Sequence, residues 1–446
     1  MDALKQKETF FKESVKQLLK FSKDAGATEA EAALNGGYGF SLTVRKGDVE
    51  TIEHHDDQNL SVTVYFGKQK GSASTTDLSL ESLKETVDAA VHIAKYTLSD
   101  ECAGLPDPDD LARTWLDLDL YHPWDISVDE AIVLAKDTER CALSLDERIT
   151  NSEGASLNTY QGLNVYGSSE GLIADTYATN HGLSLGLIAA IQTGEMQRDY
   201  GYTEARDYRD LWSPETVAHD AVMRTVRRLN PKSVSTQNVP VIFEASIAGS
   251  LLGNYLRAVS GGSLYRRSSF LLDSLGTQVF PDWFSLYDNP FIPKALGSAP
   301  FDAEGVKAHA QYLLQQGVVK TYLLSTYTGR KLGLKTTGHA GGAYNIDVSH
   351  DHDLSLEALI KKMHKGLLIT EVMGQGVNLV TGDYSRGASG LWIENGEIQY
   401  PVEEITVAGN LKNMFSGIVA VSNDLELRNK IRSGSILIDN MMIAGH

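Results

Sequence analysis

The segment Val239-Pro-Val-Ile-Phe-Glu-Ala-Ser-Ile-Ala-Gly-Ser-Leu-Leu-Gly-Asn-Tyr-Leu-Arg-Ala-Val-Ser-Gly-Gly-Ser-Leu-Tyr-Arg-Arg-Ser-Ser-Phe270 decides how the second half of the chain is read. Val239 to Phe243 is an apolar run of strand length. Leu251, Leu252, Tyr255, Leu256 and Val259 then recur at helical spacing, and Gly261-Gly262 is the expected stop. A strand that feeds a buried helix is a common place for hydrolytic side chains, yet this helix carries no His, Asp or Cys.

Outward from this segment the chain reads as α+β. Downstream, glycine-punctuated stretches separate strand candidates at Val319 to Ser325, Gly366 to Met373, Gly390 to Glu394, Glu397 to Val402, Glu404 to Ala408 and Gly434 to Ile443. Glu394-Asn395-Gly396-Glu397 signals a two-residue hairpin, because Asn-Gly accepts the two positive φ angles such a turn demands. A large, mostly antiparallel β domain is expected over 231–446, with the 244–260 helix packed on it. Upstream, Leu229-Asn-Pro-Lys-Ser-Val-Ser-Thr-Gln-Asn238 is polar and holds a proline, which places the main boundary there.

Two smaller units, with helices on mixed or antiparallel sheet, are expected before that boundary. In residues 1–98, Phe11, Val15, Leu18 and Leu19 form one stripe of a helix over 3–24. Thr28 to Leu34, Phe40 to Val44 and Leu60 to Phe66 alternate as strands, and Leu83, Val87, Ala90, Val91 and Ala94 give a second helix one buried face. His54-His55-Asp56-Asp57 reads as an acidic, solvated turn, since adjacent histidines on an extended chain point to opposite faces and do not easily share an ion. Residues 99–123 form a loop-rich connector. The 124–230 unit opens with the capping box Ser127-Val-Asp-Glu130, continues as an antiparallel meander from Ile149 to Glu204, and closes with a helix started by Ser213-Pro214-Glu215.

At 446 residues the chain exceeds one ordinary core, and hydrophobic and charged fractions of 42% and 22% fit a globular protein with no membrane span. Met1-Asp-Ala-Leu-Lys-Gln-Lys-Glu8 has no secretory pattern. Two lone cysteines, Cys102 and Cys141, leave no disulfide framework, so a cytoplasmic location is expected. The net charge of −18 opposes nucleic acid, and the densest basic cluster, Arg224, Arg227 and Arg228, has Asp220 nearby. Direct nucleic-acid binding is not expected.

Motifs for chemistry are sparse. No Gly-x-x-x-x-Gly-Lys-Ser/Thr loop occurs, and Gly167-Ser-Ser-Glu-Gly171 and Gly182-Leu-Ser-Leu-Gly186 fall in the meander, without the strand-to-helix turn of a serine nucleophile. His350-Asp-His352 would place two imidazoles on one face and, with His339 and Asp353, form a metal site; the same segment also reads as a loop into a helix capped at Ser355. His339 sits in Gly338-His-Ala-Gly341-Gly342. These glycines either let a ligand approach free N–H groups or turn the chain with the imidazole holding the turn. In the stretch containing Gly374, Gly376, Tyr384 and Arg386, Asp383 and Arg386 are placed to pair, and the functional alternative is that Tyr384 and Arg386 grip a peptide. Tyr265 and Arg266, at the exit of the central helix, face either a partner or solvent.

The opening segment, together with Ser325-Thr-Tyr-Thr-Gly-Arg-Lys-Leu-Gly-Leu-Lys-Thr-Thr-Gly-His-Ala-Gly-Gly342 and Gly374-Gln-Gly-Val-Asn-Leu-Val-Thr-Gly-Asp-Tyr-Ser-Arg-Gly-Ala-Ser-Gly-Leu-Trp392, resembles the TldD/PmbA family, and closely its PmbA (TldE) branch. The resemblance runs from about residue 30 to the C-terminus. It implies a two-subunit metallopeptidase whose catalytic branch carries a His-Glu-x-x-x-His helix and a later Cys as zinc ligands. That helix corresponds to the segment after Phe243, where this chain has Ile247-Ala-Gly-Ser-Leu-Leu-Gly253. No metal ligand or catalytic residue is carried over.

The implied role is a non-catalytic subunit with no cofactor of its own. Zinc is expected in a homologous TldD-type partner, and the substrates are expected to be peptides or unfolded small proteins. A homodimer is expected to be possible in isolation. Two alternatives stand beside this: an active peptidase with a divergent site near His339, His350 and His352, and a regulatory protein without peptidase activity, since family members have been described as modulators of DNA gyrase.

Overall fold

The first half of the chain is built on one long hairpin. In the computed structural model, which describes residues 3–192 and 194–445, α1 (Ala3–Asp24) leads into β1 (Glu29–Arg45). Met1 and Asp2 of the N-terminal reading lie outside the described residues. Lys46 and Gly47, both at positive φ, turn the chain back as β2 (Asp48–Phe66). Then follow β3 (Gln69–Thr75), α2 (Leu80–Tyr96), α3 (Val128–Leu145), β4 (Ile149–Ser168), β5 (Ile173–Ala190), β6 (Met196–Ala205) and α4 (Pro214–Val226). The six strands form one antiparallel sheet in the order β3-β2-β1-β4-β5-β6.

The 1–98 and 124–230 units therefore share a sheet while keeping separate cores. Strand alternation puts Ala30, Ala32 and Leu34 on the same face of β1 as Phe40, Leu42 and Val44. The first set is buried with Leu83 and Val87 of α2 and the Phe11 side of α1. The second is buried with Ala135 of α3 and Val217 of α4. The expected pair of short strands, Thr28 to Leu34 and Phe40 to Val44, is one strand. Its Gly36-Gly37 is a place of close approach: a Cβ on Gly37 would lie 2.3 Å from the Tyr160 hydroxyl, and one on Gly36 would lie 2.6 Å from the Phe11 ring.

The segment His54-His55-Asp56-Asp57 is likewise not a turn. It lies inside β2, with His54 opposite Phe40 and His55 opposite Gly39, so the two imidazoles do point to opposite faces. It reads as a turn because it is exposed. β3 pairs only with Leu60 to Phe66, which leaves Asp48 to Asn59 as a sheet edge, and acidic side chains suit an edge that must not recruit another chain.

The second half has β7 (Gln237–Phe243), α5 (Ala245–Ala258), α6 (Gly261–Tyr265), β8 (Leu286–Asp288), β9 (Gln311–Gln315), β10 (Val318–Val319), α7 (Thr326–Lys331), β11 (Ile346–Val348) and α8 (Leu356–Met363). It continues with β12 (Gly366–Met373), β13 (Asp383–Glu394), β14 (Glu397–Asn410), α9 (Leu411–Ser416), β15 (Ile418–Val421), β16 (Ile431–Arg432) and β17 (Ile436–Ala444). One sheet has the order β14-β13-β12-β7-β17-β15 and a smaller one β10-β9-β8-β11-β16. Among the strands of the described residues, only the β7–β12 and β11–β16 pairs are parallel. The α+β class and the mostly antiparallel C-terminal domain with a central helix are thus as expected. So is the Asn395-Gly396 hairpin, with φ of 56° and 74°.

Three local expectations change. Val319 to Ser325 is strand only at β10. The two candidates Glu397 to Val402 and Glu404 to Ala408 are one strand, interrupted by a bulge with Glu404 at positive φ. Gly261 does not end a helix in the left-handed region; Ser260 caps a new one, and Gly261 is small because a Cβ there would meet Thr328 Oγ1 at 2.3 Å.

The halves meet through charge. Arg227, just past α4, donates twice to the carboxylate of Glu244 at the start of α5, at 2.6 and 3.0 Å. Arg228 reaches Glu371 of β12 at 2.6 Å and Asp199 of β6 at 3.3 Å. The basic cluster of the sequence is consumed in this junction. Burial works against the charge on Glu244, but Arg227, with help from Arg224 and the Ser246 hydroxyl, outweighs it and holds the carboxyl below its ordinary range. Arg227→Ala should therefore destabilise the protein by about 3 kcal/mol, because it strands a buried carboxylate; a drop in the urea midpoint at unchanged slope is the expected reading.

Candidate functional site

Leu251, Leu252, Tyr255 and Ala258 of α5 are fully buried, and the Tyr255 ring stands edge-on to Phe280 at a centroid distance of 5.3 Å. The helix spans roughly 20 Å, and several of the residues singled out in the sequence lie near it, while His350 and His352 line a separate cleft.

At the C-terminal end, Gly261 N–H donates to Leu323 O at 2.8 Å and His339 N–H donates to Leu324 O at 3.3 Å. One crossing segment thus joins Tyr265 and Arg266 to the Gly338-His339-Ala340-Gly341 turn. Tyr265 meets Tyr327 edge-on at 5.8 Å, with the exposed Arg266 guanidinium 5.3 Å from its ring centre. Tyr384 lies beside the strand that leads into the helix, and the β12–β13 stretch that carries it also holds Gly374, Gly376 and Arg386, with Ser385 N–H donating to Gly376 O and Arg386 to Val372 O. Tyr384 is buried with its ring 6.4 Å from Phe243, and burial pushes its hydroxyl up to about 12.

The His339 turn is spent on structure. The ring is buried, with Nε2 2.9 Å from Asp288 Oδ2 and Nδ1 2.9 Å from Thr337 Oγ1. Gly338 and Gly341 have positive φ, as a tight turn requires. The N–H groups of Gly338, His339, Ala340 and Gly342 donate to Thr336 Oγ1, Leu324 O, Asp302 Oδ2 and His339 O. They are not free to meet a ligand.

Two further expectations are corrected. Asp383 and Arg386 do not pair, because Asp383 already begins β13 and residues three apart on a strand point to opposite faces. Asp383 instead accepts from Thr381 Oγ1 at 2.6 Å, and Arg386 donates to Val372 O at 3.3 Å. His339 also does not join His350 and His352: it is bound to Asp288 in the interior, whereas those two line an open cleft.

Sequence reasoning missed what α7 does. Tyr327 donates to Asp100 at 2.8 Å, Lys331 pairs with the same carboxylate at 2.9 Å, and Arg330 donates to Leu105 O at 2.8 Å. The stretch from Ser325 therefore fastens the connector. The alternating Tyr-x-x-Arg-Lys pattern on a short helix was the available signal.

The chain matches three family models end to end: PmbA/TldA metallopeptidase domain 1 over residues 30–94, the central domain over 121–229, and the C-terminal domain over 236–445. It is 49% identical to the metalloprotease PmbA of Escherichia coli O157:H7 over 416 residues, which covers 93% of this chain and 92% of that protein. The chain belongs to the PmbA/TldD metallopeptidase family, in its PmbA (TldE) branch. Among solved structures, a Bacteroides thetaiotaomicron protein described as a candidate modulator of DNA gyrase superposes with a TM-score of 0.92 at 27% identity, covering 98% of this chain and 99% of that one. TldE from Thermococcus kodakarensis shares the fold with a TM-score of 0.83 at 22% identity, covering 97% and 100%.

A metallopeptidase family raises the question of a metal on α5, and the donor set there does not fit zinc. From Glu244 to Ser260 the segment offers one carboxylate, already tied to Arg227 and Ser246, and otherwise serine, asparagine and tyrosine oxygens. Among the described residues no three His, Cys, Asp or Glu side chains come together to hold an ion. If His339 serves structure, His339→Ala should cost about 3 kcal/mol by uncovering buried Asp288. Thermal unfolding of the variant checks this.

Proposed function

We propose that this chain is the non-catalytic subunit of a two-subunit, cytoplasmic peptidase, paired with a homologous TldD-type subunit that holds the zinc. Its substrates are peptides and unfolded small proteins. The observation that carries the reading is the chemistry of α5: Ile247, Ala248, Gly249, Leu251, Leu252 and Gly253 occupy the segment where the catalytic branch has its ligands, and the helix is committed to packing.

The family membership supports peptide hydrolysis as the reaction of the assembly. In such an assembly zinc would activate water on the partner. The role left to this chain is to shape the cavity and hold an extended substrate by strand addition at a sheet edge other than the acidic one of β2. No helix among the described residues is long and apolar enough to cross a membrane. The arginines that were the best candidates for a nucleic-acid surface are taken up by Asp199, Glu244 and Glu371, which speaks against direct DNA contact.

The test is a mixing experiment. The isolated chain, with zinc added, should leave an unfolded peptide intact; the chain plus its TldD-type partner should cleave it. Cleavage by the isolated chain would overturn the reading, and failure of the mixture to cleave would favour a regulatory protein without peptidase activity.

A further inference from the structure

Away from α5, the β8, β9, β11 and β15 strands border an open cleft of about 720 Å³ whose walls include Trp283, Tyr287, Tyr312, His350, His352 and Val419. His350 and His352 stand face to edge in it, with ring centres 4.4 Å apart and planes at 74°. His350 Nδ1 lies 3.1 Å from Val348 O, and a donated hydrogen bond there fixes the tautomer and leaves the lone pair on Nε2. An imidazole held by a backbone carbonyl on one nitrogen is how proteins prepare the other nitrogen for a metal.

The turn that carries the pair is anchored. Asp351 N–H donates to Val421 O at 2.9 Å, Asn423 N–H donates to Leu354 O at 2.8 Å, and the Asn423 side-chain amide donates to His352 O at 2.7 Å. Both histidines are therefore presented from backbone bound to the β15 edge, which lowers the ordering cost of chelation.

The geometry points to an exchangeable transition-metal site made by His350 and His352. Its ligand class is a borderline-soft divalent cation that favours imidazole, such as zinc, nickel or copper(II), and not magnesium or calcium, which favour oxygen. Two protein ligands leave the other coordination positions to water or to a donor group of a molecule in the cleft. The site lies apart from α5 and does not depend on the proposed subunit role.

Titration calorimetry of the chelator-treated full chain with zinc chloride and nickel chloride tests it. One saturable site is expected, with no saturable uptake of magnesium. His350→Ala and His352→Gln should each weaken binding by at least about tenfold, while His54→Ala, elsewhere on the surface, leaves it unchanged. Circular dichroism checks that each variant is folded, and the exposed His352→Gln provides the arm in which folding is not at stake. Absence of a saturable site, or a site untouched by both variants, overturns the proposal. Metal uptake without peptide cleavage by the isolated chain leaves the subunit reading intact, so the two claims fail separately.

Discussion

The pairing of β1 with β4 is the constraint on which the molecule rests. β1 is long enough to serve two cores, and because its register with β4 runs unbroken from Glu31–Ser168 to Val44–Ala155, the helices of both N-terminal units lie on one face of a single sheet. A slip of one residue would turn Leu34, Phe40 and Leu42 out of both cores at once, so register here is enforced twice. The sheet then presents α4 to the second half, and α4 presents Arg227 and Arg228 to Glu244 and Glu371. The orientation of α5 is thus tied to a strand pairing that lies wholly in the first half of the chain.

This chain of dependence explains how a metallopeptidase scaffold is kept on a helix without ligands. Tyr255, Leu251 and Leu252 fill a core with Phe280 and Phe415, and Glu244 is satisfied by the Arg227 guanidinium. Each group at the start of α5 is spent on holding the helix in place. Asp424, beside it, is occupied in the same way by Ser422 and Ser435.

Much of the architecture could be read from the residues, and the failures have physical causes. Single-period patterns were transparent: the α3 capping box, the Asn395-Gly396 hairpin and the buried face of α2 all follow from local chemistry. What misled was any residue whose meaning depends on a distant neighbour. Thr28 to Leu34 and Phe40 to Val44 resemble two strands until Tyr160 and Phe11 are seen packed against the glycines between them. His339 resembles a ligand-binding turn until Asp288 appears behind it, and Arg386 resembles a partner for Asp383 until strand alternation separates them.

The fastening of residues 100–107 to α7 changes what the connector is. Tyr327, Arg330 and Lys331 grip its early part, and Ala112 N–H donates to Gly305 O further along, so the strap is sewn to the second half before it returns to the first. A backbone cut in the exposed stretch around Leu116 would then release no fragment. Both pieces would stay knitted into the same body, and the halves would not drift apart as beads on a string.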